Sequence, residues 1–140
     1  MHEGGRKHPH TVEKKADTFP LYQLFDDAKY RGKQLAYTYD FGDNWEHVMT
    51  VEGRADSTKT FSCLLGTGQP VAEDVGSTRG WEKLKEAYRA ATPSAEQREK
   101  RSWFERDASN ADPRGLAGGR VDEWDRDAVN RKLSKMNRRT

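Results

Sequence analysis

The sequence predicts an α+β fold: an antiparallel β-hairpin, extended into a small sheet, packed with helices in the C-terminal half. Three observations predict it. Apolar residues alternate with polar ones from Leu35 to Phe41 and again from Trp45 to Val51, around Gly42-Asp43-Asn44. From Trp81 onward the apolar spacing becomes helical. A strong stop at Pro93 is followed by Ser94-Ala-Glu-Gln97, which reads as a capping box opening the next helix.

The elements follow in order. Residues 1–18 are polar, carry His2, His8 and His10, and read as a disordered tail. Residues 19–136 read as a single domain, and 137–140 as a basic tail. Pro20 to Ala28 is a short helix that Thr18 can cap, with Leu21, Leu24, Phe25 and Ala28 on one face. Arg31-Gly32-Lys33 is a turn. In the hairpin, a three-residue loop pairs Phe41 with Trp45, Tyr39 with His47, Tyr37 with Met49 and Leu35 with Val51. That register gathers the aromatics on one face, which reads as core. Thr60 to Leu65 is a third strand, and residues 66–80 form a long glycine-bearing loop. Trp81 to Ala90 is a helix with Trp81, Leu84 and Tyr88 on one face. The helix after Ser94 runs to about Asp107 and anchors through Trp103 and Phe104. Residues 109–120 are a flexible linker. Asp125 caps a last helix whose stripe is Val129, Leu133 and Met136.

Composition bounds the function. Of 140 residues, 33% are hydrophobic and 34% charged, so the core is lean and much of the chain is solvated. Cys63 is the single cysteine, which excludes an intrachain disulfide and a zinc site built on several cysteines. It sits in an apolar segment and reads as packing. No apolar run is long enough to span a bilayer, and the N-terminus carries no apolar signal stretch. The expected setting is intracellular and cytoplasmic, without membrane association. Phosphate-loop, dinucleotide, His-Glu-x-x-His and Gly-x-Ser-x-Gly motifs are absent, and no motif calls for a cofactor.

Chemistry is concentrated at the hairpin tip. In the expected register Asp40 and Glu46 lie directly opposite each other, an unfavourable like-charge pair. Such a pair, with Asp43 and His47 nearby, could hold a divalent metal, accept hydrogen bonds from a basic partner or share a proton. It could equally be a solvated hairpin end whose acids bond turn amides. Glu73-Asp74-Val75-Gly76 is a second acidic turn, read either as a metal contributor or as a cap for the following helix. Arg131, Lys132, Lys135, Arg138 and Arg139 form an acid-free basic end. It suits nucleic acid, or simply a helix C-terminus.

Tyr37-Thr-Tyr-Asp-Phe-Gly-Asp-Asn-Trp-Glu-His47 resembles the hallmark of the plasmid pRiA4b Orf-three-like domain family. Cys63-Leu-Leu-Gly66, Glu73-Asp-Val-Gly76, Gly80-Trp81 and Val129-Asn130 with Leu133 are similar to later segments of that family, in the same order. The resemblance implies an α+β fold with an antiparallel sheet, and a link to plasmids and insertion elements. It implies no reaction. The family's upstream Trp-Arg-Arg and His-rich segments find no counterpart here. The expectation is therefore a chain keeping only the family's C-terminal half, with an open sheet face covered by a second copy or a partner chain. Three functions follow from these readings. One is a binding module, with nucleic acid among its partners. Another is a metal-dependent hydrolase or nuclease using Asp40, Asp43, Glu46, His47, Glu73 and Asp74. The last is a shortened, inactive family member.

Overall fold

A computed structural model describes residues 15–18, 20–30 and 32–136. The expectations for His2, His8, His10, Arg31, Arg138 and Arg139 lie outside these residues. The elements are α1 (Leu21–Asp26), β1 (Leu35–Tyr39), β2 (Trp45–Met49), α2 (Ser77–Arg89), α3 (Ala95–Arg106) and α4 (Arg126–Ser134). Short 3-10 turns occupy Ala16–Thr18, Ala28–Tyr30 and Arg120–Asp122. The architecture is α+β, an antiparallel two-stranded hairpin with helices in the C-terminal half. No helix among the described residues is long and apolar enough to cross a membrane.

The chain divides into two units, residues 1–36 with 48–53, and residues 37–47 with 54–140. In the first unit α1 follows Pro20, whose fixed φ suits a helix entry. Thr18 does not cap it, because its hydroxyl donates to the Lys15 carbonyl at 2.9 Å. Leu21 and Tyr22 are more than half exposed.

The second unit holds the core. Ala72, Trp81, Leu84, Phe104 and Leu116 are buried together, with Trp45, Val71, Val75, Tyr88, Trp103 and Val121 packed around them. Helix α2 buries Trp81, Leu84 and Ala87 at helical spacing and turns Glu82, Lys83 and Glu86 to water. Phe104 of α3 receives two edge-on rings, Trp81 at 6.5 Å and Tyr88 at 6.2 Å between centroids. Such pairs add about 0.5–1.5 kcal/mol each beyond area burial. Helix α3 begins at a complete capping box: Ser94 Oγ accepts from the Gln97 N–H, and Gln97 Oε1 accepts from the Ser94 N–H. Asp125 caps α4 through the Ala128 N–H at 2.9 Å.

Thr60 to Leu65 is not a strand. Cys63 is instead gripped by one side chain. Its N–H donates to Asn130 Oδ1 at 2.6 Å, and its carbonyl accepts from Asn130 Nδ2 at 3.0 Å. The Asn130 amide thus does for one residue what a neighbouring strand would do for several, and Leu64 and Leu65 stay exposed. Residues 109–120, expected as linker, are tied to the core. Leu116 is buried, the Asp112 N–H donates to the Phe104 carbonyl, and Arg120 reaches Asp112 at 2.8 Å and the Gly115 carbonyl at 2.9 Å. Burial acts to raise the Asp112 pKa. The Arg114 N–H and side chain, with the Arg120 charge, outweigh it and hold the carboxyl below its ordinary value.

Tyr88 donates its hydroxyl proton to Glu105 at 2.6 Å, with Arg101 stacked 4.8 Å from its ring. Burial first, then the Glu105 carboxylate, raises its pKa well above the ordinary tyrosine value. The unfolded chain releases this proton near pH 10 while the folded chain keeps it. The stabilisation is therefore complete below pH 10 and declines as pH rises beyond it. Urea midpoints at pH 9 and pH 11 should differ more in the wild type than in Tyr88→Phe, which cannot ionise.

Candidate functional site: the hairpin tip and the turn before α2

The hairpin loop is held by its own acids. Asp40 and Asn44 both adopt left-handed backbone, φ 56° and 62°, a conformation these two residue types tolerate. The Asn44 N–H donates to the Asp40 carbonyl, and Asp40 Oδ1 accepts from the Gly42 N–H at 2.9 Å. This closure pairs Tyr39 with Trp45 and Tyr37 with His47, whose rings lie 5.9 Å apart. The register is therefore shifted by two residues from the expected one. Two consequences follow. Glu46 faces Thr38, so the expected Asp40–Glu46 like-charge pair does not form. Phe41 leaves the strand for the loop, where it is 90% exposed. Of the aromatic face expected as core, Trp45 packs against the buried cluster, while Tyr37 and Tyr39 remain 39% and 44% exposed.

The tip meets the second acidic turn. Asp43 Oδ2 accepts from the Gly76 N–H at 3.1 Å, and the Tyr39 hydroxyl donates to Glu73 Oε2 at 3.4 Å. Gly76 is the residue from which α2 departs, with φ 93°, and it has no side chain of its own to cap the helix. Asp43 supplies a carboxylate there from another segment, where the helix dipole favours negative charge. The turn is also pinned from behind: the Glu73 N–H donates to Asn110 Oδ1, and Asn110 Nδ2 donates to the Val71 carbonyl, both at 2.9 Å. The Glu73 charge, then desolvation, raises the Tyr39 pKa, with smaller contributions from Asp40 and Asp74.

Of the six acidic-site candidates, Asp43 and Glu73 are thus brought into one junction, with Asp40 and Asp74 close enough for their charges to act on Tyr39. Glu46 sits along β2, and His47 is engaged with the Tyr37 ring. Among the described residues, no three His, Cys, Asp or Glu side chains stand close enough together to hold a metal ion. Asp40, Asp43 and Glu73 each already accept a hydrogen bond from the protein itself, so the junction works as a clasp between two loops. Sequence reasoning passed over Asn110, which lay in the supposed linker with no signal. Asn130 appeared only as a letter in the Val-Asn motif.

The profile of the plasmid pRiA4b ORF-3-like protein family matches residues 4–132. An uncharacterized protein, y4hQ, of Sinorhizobium fredii (strain NBRC 101917 / NGR234) is 39% identical over 57 residues. That stretch is 39% of this chain and 29% of the relative, so the match spans less than a third of that protein's length. No solved structure matches. The family match corrects the expectation that only a C-terminal half is kept. It reaches back to residue 4, through the polar segment ahead of the hairpin whose composition hid the likeness. With nearly all of its length inside that match, the chain belongs to the plasmid pRiA4b ORF-3-like protein family.

Proposed function

We propose that the chain is a binding module whose hairpin tip presents Phe41 to a partner, either another protein or a second copy. The carrying observation is Phe41 itself. It is 90% exposed in a chain that has few hydrophobic residues to spare, on a loop braced from within by Asp40 and from outside by the Asp43–Gly76 bond. An aromatic side chain held out on a braced loop gives up little freedom on binding, and such anchors cost about 2 kcal/mol or more when truncated at an interface. Tyr37 and Tyr39 on β1 are partly exposed as well.

The hydrolase reading has less support, because the acids that converge are engaged in bracing the loops. Nucleic-acid contact is a second reading, favoured by Arg131, Lys132 and Lys135, which are all exposed on and just beyond the last turn of α4. Salt-dependent DNA binding that fails when these three are changed to glutamine would carry it.

The test of the main reading places a photo-crosslinking phenylalanine analogue at position 41 in cells making the chain. The expected result is one discrete adduct, either to the chain itself or to one other protein, that is missing when the analogue stands at exposed Thr50. A diffuse smear, or no adduct at 41, overturns the proposal.

A further inference from the structure

Helices α2 and α3 leave between them a groove of about 320 Å³, lined by Asp74, Val75, Gly80, Leu84, Glu96, Glu99, Lys100 and Trp103. Three of these carry negative charge and one carries positive. Lys100 is committed to Glu96 at 3.5 Å. No described cation lies within ion-pair distance of Asp74 or Glu99. The walls between the charges are apolar: Val75 and the half-buried ring of Trp103, with the buried Leu84 beneath them. Glu96 and Glu99 on their own suit the positive N-terminal end of α3. Asp74 comes from the turn before α2, near that helix's own positive end, and lines the same groove.

We propose that this groove docks a basic peptide segment of a partner protein, taking one arginine or lysine side chain at a time. The fit follows from charge and shape together. A long basic side chain lays an alkyl stem on apolar surface while its cation seeks carboxylates and an aromatic face. The groove offers both in one place, with an excess of negative charge. Its volume stands at the low end of ligand sites, enough for one or two side chains. A compact metal ion suits it poorly, because the acids are spread along apolar walls and form no ligand cluster. The site is separate from Phe41 and stands whether or not the hairpin tip binds a partner.

The experiment titrates the full chain with a short capped peptide that alternates leucine and arginine, followed by NMR. The reporter is the Trp103 indole N–H, assigned by its loss in Trp103→Phe. The expected result is a saturable shift of that signal at micromolar to millimolar peptide, weakened by salt. Glu96→Gln with Glu99→Gln should weaken binding about tenfold, the equivalent of about 1.4 kcal/mol. The same peptide with citrulline in place of arginine should give no shift. Lys100→Glu, which adds negative charge to the groove, should tighten binding and serves as the decisive variant if the double change unfolds. No saturable Trp103 shift overturns the proposal, as does a shift insensitive to these variants. An equal response to spermidine also overturns it, by showing a site for free polyamines in place of a peptide.

Discussion

Gly80→Ala is expected to destabilise the chain by about 3 kcal/mol or more, at the upper end of what overpacking costs. Alanine is normally the better helix residue by about 1 kcal/mol, so a bare propensity argument predicts the opposite sign. Packing reverses it. A methyl group on Gly80 would overlap the Val75 carbonyl oxygen and lie 2.7 Å from its carbonyl carbon. These are backbone atoms and cannot swing aside as the end of a side chain can. The Val75 backbone is further restrained because the adjacent Gly76 N–H is held by Asp43, while Gly76 accepts the Gly80 N–H at 2.9 Å. Urea unfolding of Gly80→Ala beside Gly53→Ala checks the point, because Gly53 has nothing within 4 Å of its added methyl. Equal midpoints for the two variants would refute the packing argument.

Leu84→Ala should cost about 2–5 kcal/mol, the range for removing a large buried aliphatic side chain. Leu84 is 1% exposed and is the largest fully buried side chain among the described residues. Its weight is greater here than in a richer core. Of the seven buried hydrophobic residues among those described, three are alanines, so Trp81, Leu84, Phe104 and Leu116 supply most of the buried apolar bulk. Against a total stability of about 5–15 kcal/mol, the loss brings the chain close to its unfolding threshold. The check is a shifted denaturant midpoint with unchanged slope. A cost below about 1 kcal/mol would mean that the core is not centred on Leu84.

Helices α3 and α4 were legible because they carry their own punctuation, and α2 because of its apolar spacing. Ser94 and Gln97 formed the expected capping box, Asp125 capped α4, and Trp81 with Leu84 fell on the buried face of α2. The hairpin was legible as an element but not in its register. Period-two alternation looks the same after a shift of two residues, so the pattern alone could not choose between Phe41 and Tyr39 as the partner of Trp45. The choice was made by left-handed Asp40 and by the Asn44–Asp40 closure. Thr60 to Leu65 has strand composition but no strand beside it among the described residues, and composition cannot supply a neighbour. The meeting of the hairpin tip with the Glu73–Gly76 turn was likewise beyond the sequence. It depends on contacts between residues about thirty apart, Asp43 with Gly76 and Tyr39 with Glu73.

The Asn130 grip on Cys63 also has a consequence for synthesis. Its two partners are 67 positions apart. At about 5–20 residues per second, Asn130 is joined to the growing chain several seconds after Cys63. Until then the backbone of Cys63 lacks its amide partner, and Phe61, Leu64 and Leu65 stand in a segment that nothing yet fastens. The nascent protein therefore passes through an interval in which the backbone of this stretch is unfastened, while the side chains of Leu64 and Leu65 are exposed in the folded protein as well. A protein truncated before Asn130 would keep that stretch in the same unfastened state.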